Sequence, residues 1–183
     1  MRRRSKAGTA VILPLAAVAI GCCLLSAVAA VGDAEAQTVQ PHVIWSGSDS
    51  AISQREYLRV TSEREWNSLW QRHSGVKYEH DQGHRAPGIP IIDFEGSMII
   101  AVFGGKAMCT RGVLARSVTE DKESLRLRFR GQVVGCTGDH PTTPYMILVL
   151  PRTTKPVSLE EQGANDSNGN VTWHLQKRLD ALE

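Results

Sequence analysis

Apolar residues fall along the chain in patterns of three kinds, each predicting a different element. Residues 98–103 (MIIAVF) and 145–150 (YMILVL) are nearly continuous apolar runs of strand length, the pattern of strands buried on both faces. Leu125, Leu127 and Phe129 alternate with Arg126, Arg128 and Arg130, and Val171, Trp173 and Leu175 alternate with Thr172, His174 and Gln176. That period of two marks strands with one buried face. Trp66, Leu69 and Trp70 stand at i, i+3 and i+4, one face of a helix. Ser62 and Glu65 form a capping box at its start, and Gly75 ends it. Shorter strands are expected over 42–45, 56–60 and 112–118, with a turn over 120–123.

Between these elements the chain is polar. Residues 37–41 read as a linker, 74–90 as a long exposed loop, and 131–143 as a second loop. After Lys155-Pro156 a weaker segment passes into a polar loop over 163–169. The expected fold is α+β: a mostly antiparallel β-sheet or partly open barrel with one amphipathic helix packed on it. No internal repeat, phosphate-binding loop, dinucleotide-binding glycine pattern or nucleophile-elbow sequence interrupts this order.

The first 36 residues have a different character. Arg2, Arg3, Arg4 and Lys6 precede an apolar run over 10–31, the layout of an export signal. Ala34-Glu35-Ala36 offers a peptidase site that leaves Gln37 as the new N-terminus. The run is also long enough to be an uncleaved anchor with its basic end in the cytoplasm. Cys22 after Ala19-Ile20-Gly21 is a loose lipoprotein pattern, although Leu24, Leu25 and Val28 keep the following stretch apolar. All three readings send residues 37–183, one β-rich domain, out of the cytoplasm: secreted, periplasmic or held at the membrane. The chain has 21 Lys and Arg against 19 Asp and Glu. Losing four cations and two anions with residues 1–36 leaves 17 of each, a formal charge of zero. Bulk attraction to nucleic acid or anionic lipid is therefore not expected.

Candidate chemistry is sparse. Cys109 and Cys136 are the cysteines outside the leader, and two cysteines in an exported domain most often pair. Such a bridge stabilises by roughly 3–4 kcal/mol in the chain-entropy model. The rival is a Cys136/His140 nucleophilic pair, which needs a free thiolate. Glu79, His80, Asp81 and His84 carry metal-ligating groups, but Gly83 and Pro87 argue against the helix that would bring both histidines together. Trp66 and Trp70 read as core residues, with a sugar platform as the sharper alternative. The three arginines over 126–130 read as a solvated face paired with carboxylates, or as an anion-binding stripe. Asn170-Val171-Thr172 is a glycosylation sequon, whose use the bacterial style of the leader argues against.

The order of these pieces resembles the PrcB C-terminal domain family. The resemblance rests on the helix segment Glu65-Trp66-Asn67-Ser68-Leu69-Trp70 and on Pro90-Ile91-Ile92-Asp93-Phe94. The strand 98–103 with Gly104-Gly105 follows, and then Thr143-Pro144-Tyr145 opening the strand that ends at Pro151. It spans about residues 42–175. It implies an exported bacterial binding domain, related to an accessory subunit that helps a secreted protease mature or stay stable. Many members carry a Gly-Gly-Tyr turn after the first central strand. Here Cys109-Thr110-Arg111-Gly112-Val113 keeps one glycine and loses the aromatic, which implies a different partner. The two added cysteines would staple this loop to the one before Tyr145.

The expected function is a non-catalytic protein-interaction module that needs no cofactor or metal. Its partner is an exported protein, with a protease as the leading candidate. The expected partner surface is Thr110, Arg111 and Gly112 with Thr142, Thr143, Pro144 and Tyr145, although Tyr145 also reads as a partly buried strand-start residue. Protease inhibition through the same loops is the alternative, followed by a metal- or small-ligand-binding protein or enzyme using His80, His84, Cys136 and His140.

Overall fold

Two adjacent strands of the computed structural model have no polar side, and they dictate the layering. The structure describes residues 35–75, 88–135 and 141–182. In β4 (Ser97–Gly104), Met98, Ile100 and Val102 point one way, and Ile99, Ala101 and Phe103 the other. In β7 (Tyr145–Pro151), Met146, Leu148 and Leu150 join the first set, and Ile147 and Val149 the second. A sheet buried on both faces needs a layer on each side.

These strands form the centre of a four-stranded sheet, B, with β2 (Val43–Gly47) and β3 (Arg55–Val60) at its edges, in the order β2-β7-β4-β3. One face meets sheet A, ordered β1-β5-β6-β8-β9. Its strands are β1 (Gln37–Thr38), β5 (Thr110–Glu120), β6 (Leu125–Val133), β8 (Val157–Asn165) and β9 (Val171–Leu179). Leu125, Leu127 and Phe129 of β6, with Val157 and Leu159 of β8, fill the core between the sheets. The other face of sheet B meets α1 (Glu63–Ser74) through Trp66 and Leu69, with Trp70 partly buried beside them. Among the described residues, no helix is long and apolar enough to cross a membrane.

The helix boundaries follow their local chemistry. The Ser62 hydroxyl accepts from Glu65 N–H at 3.4 Å, and Glu65 Oε2 accepts from Thr61 N–H at 3.0 Å. That backbone bond, the largest influence on the Glu65 carboxyl, holds its pKa below the ordinary value. At the other end Gly75 takes φ 71°, and its N–H reaches Gln71 O at 3.1 Å. Trp66 is fully buried and donates Nε1–H to Pro90 O at 2.9 Å. Its ring centroid lies 6.0 Å from Trp45 and 5.0 Å from Trp70. Trp66 and Trp70 are thus core residues rather than an open platform.

Two expectations change. Residues 37–38, read as linker, form β1 by pairing Gln37 with Glu120 and Thr38 with Thr119. The weak segment after Pro156 is the nine-residue strand β8, which runs through Gly163. Its hairpin to β9 turns over 166–170, where Asn170 of the sequon donates Nδ2–H to Asp166 Oδ2 at 3.1 Å. The pairing is mostly antiparallel, but β6 and β8 are parallel, because the chain passes through β7 in the other sheet between them. The described residues form two sheets and no closed barrel.

Trp66→Ala should lower unfolding free energy in urea by about 3–5 kcal/mol, through lost contacts and the cavity left behind. Ser62→Ala should cost about 1 kcal/mol. Equal midpoints for the two variants would contradict this ranking of core over cap.

Candidate functional site

The sheets separate at the end where β4 leaves and β5 and β7 begin, opening a cleft of about 460 Å³. Two chain segments meet there. Ala107 and Thr142 exchange backbone hydrogen bonds of 2.9 and 2.7 Å, and Pro144 O accepts from Gly104 N–H at 2.8 Å. Thr110 and Pro144 line the cleft with Arg55 of β3, Arg130 of β6 and Glu161 and Gln162 of β8. Arg55 Nη1 reaches across to Glu161 Oε2 at 2.8 Å and to the Tyr57 hydroxyl at 3.3 Å. Burial raises the Tyr57 pKa, with the Arg55 charge opposing it. The Arg55 side chain is half exposed, so this ion pair spans the cleft while adding little to the stability of the fold.

Apolar surface flanks this opening. Met108 and Val133 are 51% and 76% exposed. They lie close together, because Thr110 pairs with Val133 and Val134 N–H bonds Cys109 O at 2.7 Å. Arg111 is exposed on the same strand start.

The other residues expected to meet a partner are largely engaged in the fold. Thr110 and Pro144 are buried, as is Gly112. A Cβ on Gly112 would come within 2.6 Å of Ser46 Oγ. Glycine is required because β2 crosses β5 there, with Ser46 Oγ donating to Val113 O at 2.7 Å. Thr143 bonds Ser48 O through its N–H at 2.8 Å and Ser50 O through its hydroxyl at 2.5 Å. Thr142 donates its hydroxyl to Ala107 O at 3.0 Å. The Tyr145 ring is half-buried, 4.2 Å from the His73 ring. Burial, and secondarily the Asp49 charge, raises its pKa. Of the seven, Arg111 is the one whose residue is exposed.

A buried polar pair lies beneath the helix, at residues with no motif to mark them in the sequence. His73 on α1 is 8% exposed and Ser50 is 5% exposed, with Nδ1 3.0 Å from the hydroxyl oxygen. The imidazole packs among Trp70, Phe103 and Tyr145. Burial lowers its pKa, and Asp49 works against the shift. The pair is sealed from substrate-sized molecules and holds the segment before β3 against the helix, where Ala51 N–H also bonds His73 O at 2.8 Å. The one sign in the sequence is spacing, since His73 continues Trp66, Leu69 and Trp70 at i+7.

On the outer face of sheet A, Glu160 pairs with both Arg126 and Arg128, while Arg130 has no ion pair among the described residues, so the carboxylate pairing covers two of the three arginines. Among the described residues, no group of three or more His, Cys, Asp or Glu is placed to hold a metal ion. His80, His84, Cys136 and His140 lie outside the described residues, as does the leader through residue 34. No protein-family model, curated protein or solved structure matches this chain.

The His73 environment predicts a pH response. In the unfolded chain imidazole takes up a proton near pH 6.5, while in the fold burial holds that uptake to lower pH. Below about pH 6.5 the unfolded state therefore binds the extra proton, and stability falls as pH falls, by at most about 1.4 kcal/mol per unit. Urea melts between about pH 7 and 5 should show this loss, and His73→Phe should flatten it. An unchanged slope in the variant would assign the loss to other groups.

Proposed function

We propose that this chain is a non-catalytic protein-interaction module working outside the cytoplasm. It acts as an accessory or stabilising subunit for an exported protein, a secreted protease being the leading candidate. The supporting observation is the exposed apolar pair Met108 and Val133 beside a cleft of about 460 Å³. Arg111 at the rim adds a residue type that often dominates interface energetics. The leader-like N-terminus supports the location, and the resemblance to the PrcB C-terminal domain family supports the protease link. We also propose that Cys109 pairs with Cys136, which would tether the rim.

A photo-crosslinking residue at Met108 or Val133 should capture one exported protein, while one at Ile44, exposed on the edge of sheet B, should not. Val133→Asp should weaken that capture about tenfold or more. Equal capture from Ile44, or none from Val133, would sink the rim assignment. If the captured protein is a protease, a longer active lifetime on adding this chain marks an accessory subunit, and slowed turnover marks an inhibitor.

The disulfide has its own readout. Alkylation without reductant should leave both Cys109 and Cys136 unlabelled by mass, and replacing both with serine should cost roughly 3–4 kcal/mol. Labelling of either cysteine in folded, unreduced protein would refute the pairing.

A further inference from the structure

Sheet A turns one face to sheet B, no layer of the described residues covers the other, and that outer face is basic. Arg126, Arg128 and Arg130 project away from the core side chains they alternate with. Arg178 of β9 stands opposite Ser158, which itself stands opposite Arg126. Leu114, Ser117 and Thr119 of β5 pair with the three β6 arginines, and Gln162 of β8 pairs with Trp173. Glu160 is the one acidic residue among these outward strand positions, so the face carries a net charge of plus three. Residues 37–183 together sum to zero, so the excess reflects placement rather than composition.

Glu160 orients the arginines more than it neutralises them. Its Oε2 accepts from Arg128 Nε–H at 2.8 Å, and its Oε1 lies 3.2 Å from Arg126 Nε without hydrogen-bond alignment. The Arg128 guanidinium also lies over the Trp173 ring, 5.0 Å from its centroid. Both contacts to Glu160 use Nε. Among the described residues, the terminal Nη groups of Arg126 and Arg128, and all of Arg130, have no hydrogen-bonding partner. The Arg128 fork is thus held by a hydrogen bond and a ring contact, and the Arg126 fork lies in ion-pair range of the same carboxylate, both with their terminal donor edges free, as bidentate carboxylate recognition requires.

We propose that this face docks an extended acidic segment of a partner protein. Alternate residues of β6 repeat every ~6.8 Å, and carboxylates at alternate positions of an extended peptide repeat at the same distance. Ser117, Thr119, Ser158 and Gln162 supply neutral polar groups between the charges, and Leu175, 61% exposed, offers an apolar contact at one margin. A single-signed field of this kind also speeds encounter with an acidic partner. Of these arginines Arg130 alone also lines the cleft. The acidic-segment docking goes beyond the cleft reading and stands or falls without it.

The test is fluorescence anisotropy of the full chain with a labelled peptide of alternating Glu and Thr. A Lys-Thr peptide serves as control, and sodium polygalacturonate as a competing anionic glycan. The Glu-Thr peptide should bind at about 50 mM salt and weaken as screening increases. R126Q/R128Q should lose about tenfold in affinity. R126K/R128K, which keeps the charge and the fold but removes the forks, should lose a smaller but measurable share. Absence of binding at low salt, or equal affinity in the lysine variant and the parent, would overturn the proposal. Displacement of the peptide by polygalacturonate at lower carboxylate concentration would overturn it in favour of a glycan surface.

Discussion

The two central strands of sheet B have no side that tolerates water, and the rest of the molecule answers that constraint. Met98, Ile100 and Val102 on one face of β4 and Ile99, Ala101 and Phe103 on the other are each at most 1% exposed. Covering the first set calls for a second sheet with one apolar face, which the alternation in β6 and β8 provides. Covering the second calls for a helix with a broad apolar stripe, which Trp66, Leu69, Trp70 and His73 provide. The aromatic cluster of Trp45, Trp66 and Trp70 fills the helix layer with few residues, fitting a chain with only ten aromatics.

The layers also need joining at their margins, and polar groups do that work. Arg59 reaches from the edge of sheet B to the carbonyls of Thr153, Lys155 and Asp180, at 3.0, 2.7 and 2.9 Å. Ser46 ties β2 to β5 on the other side. The cleft lies where such ties give way to side-chain contacts, Arg55 with Glu161 and Arg55 and Tyr57 with Gln176, as the links between the sheets. The cleft therefore opens where interlayer packing ends, while the outward arginines belong to a sheet face that no layer covers among the described residues.

Much of this was legible in the sequence because the signals were local. The two apolar runs, the Ser62–Glu65 box, Gly75 and the Leu-Arg alternation each sit within a dozen residues and map onto elements with small boundary shifts. β8 was obscured because Glu160, Glu161 and Gln162 face a solvated surface or the cleft, leaving only Val157 and Leu159 to mark the strand. The parallel pairing of β6 with β8 depends on where β7 docks, which no local pattern encodes. The cleft was hidden for the same reason, since Arg55 and Glu161 are 106 positions apart. The side chains of the loops flanking β4 and β7 were harder to assign, because the close approach of β2 to Gly112 and of Gly104 to Pro144 is a property of the assembled sheets.

The interleaved strand order has a bearing on how the chain reaches this state. β4 is made more than forty residues before β7, its neighbour in sheet B, and β6 finds its parallel partner only after β7 has crossed to the opposite layer. Neither sheet can close while the last third of the chain is missing, so no half-molecule has a complete core. Such non-local pairing slows folding and leaves the run from Met98 to Phe103 uncovered in the interval, a segment with the composition that self-associates most readily. For a growing chain the hazardous stage is therefore the span between synthesis of β4 and docking of β7, and a chaperone would matter most there.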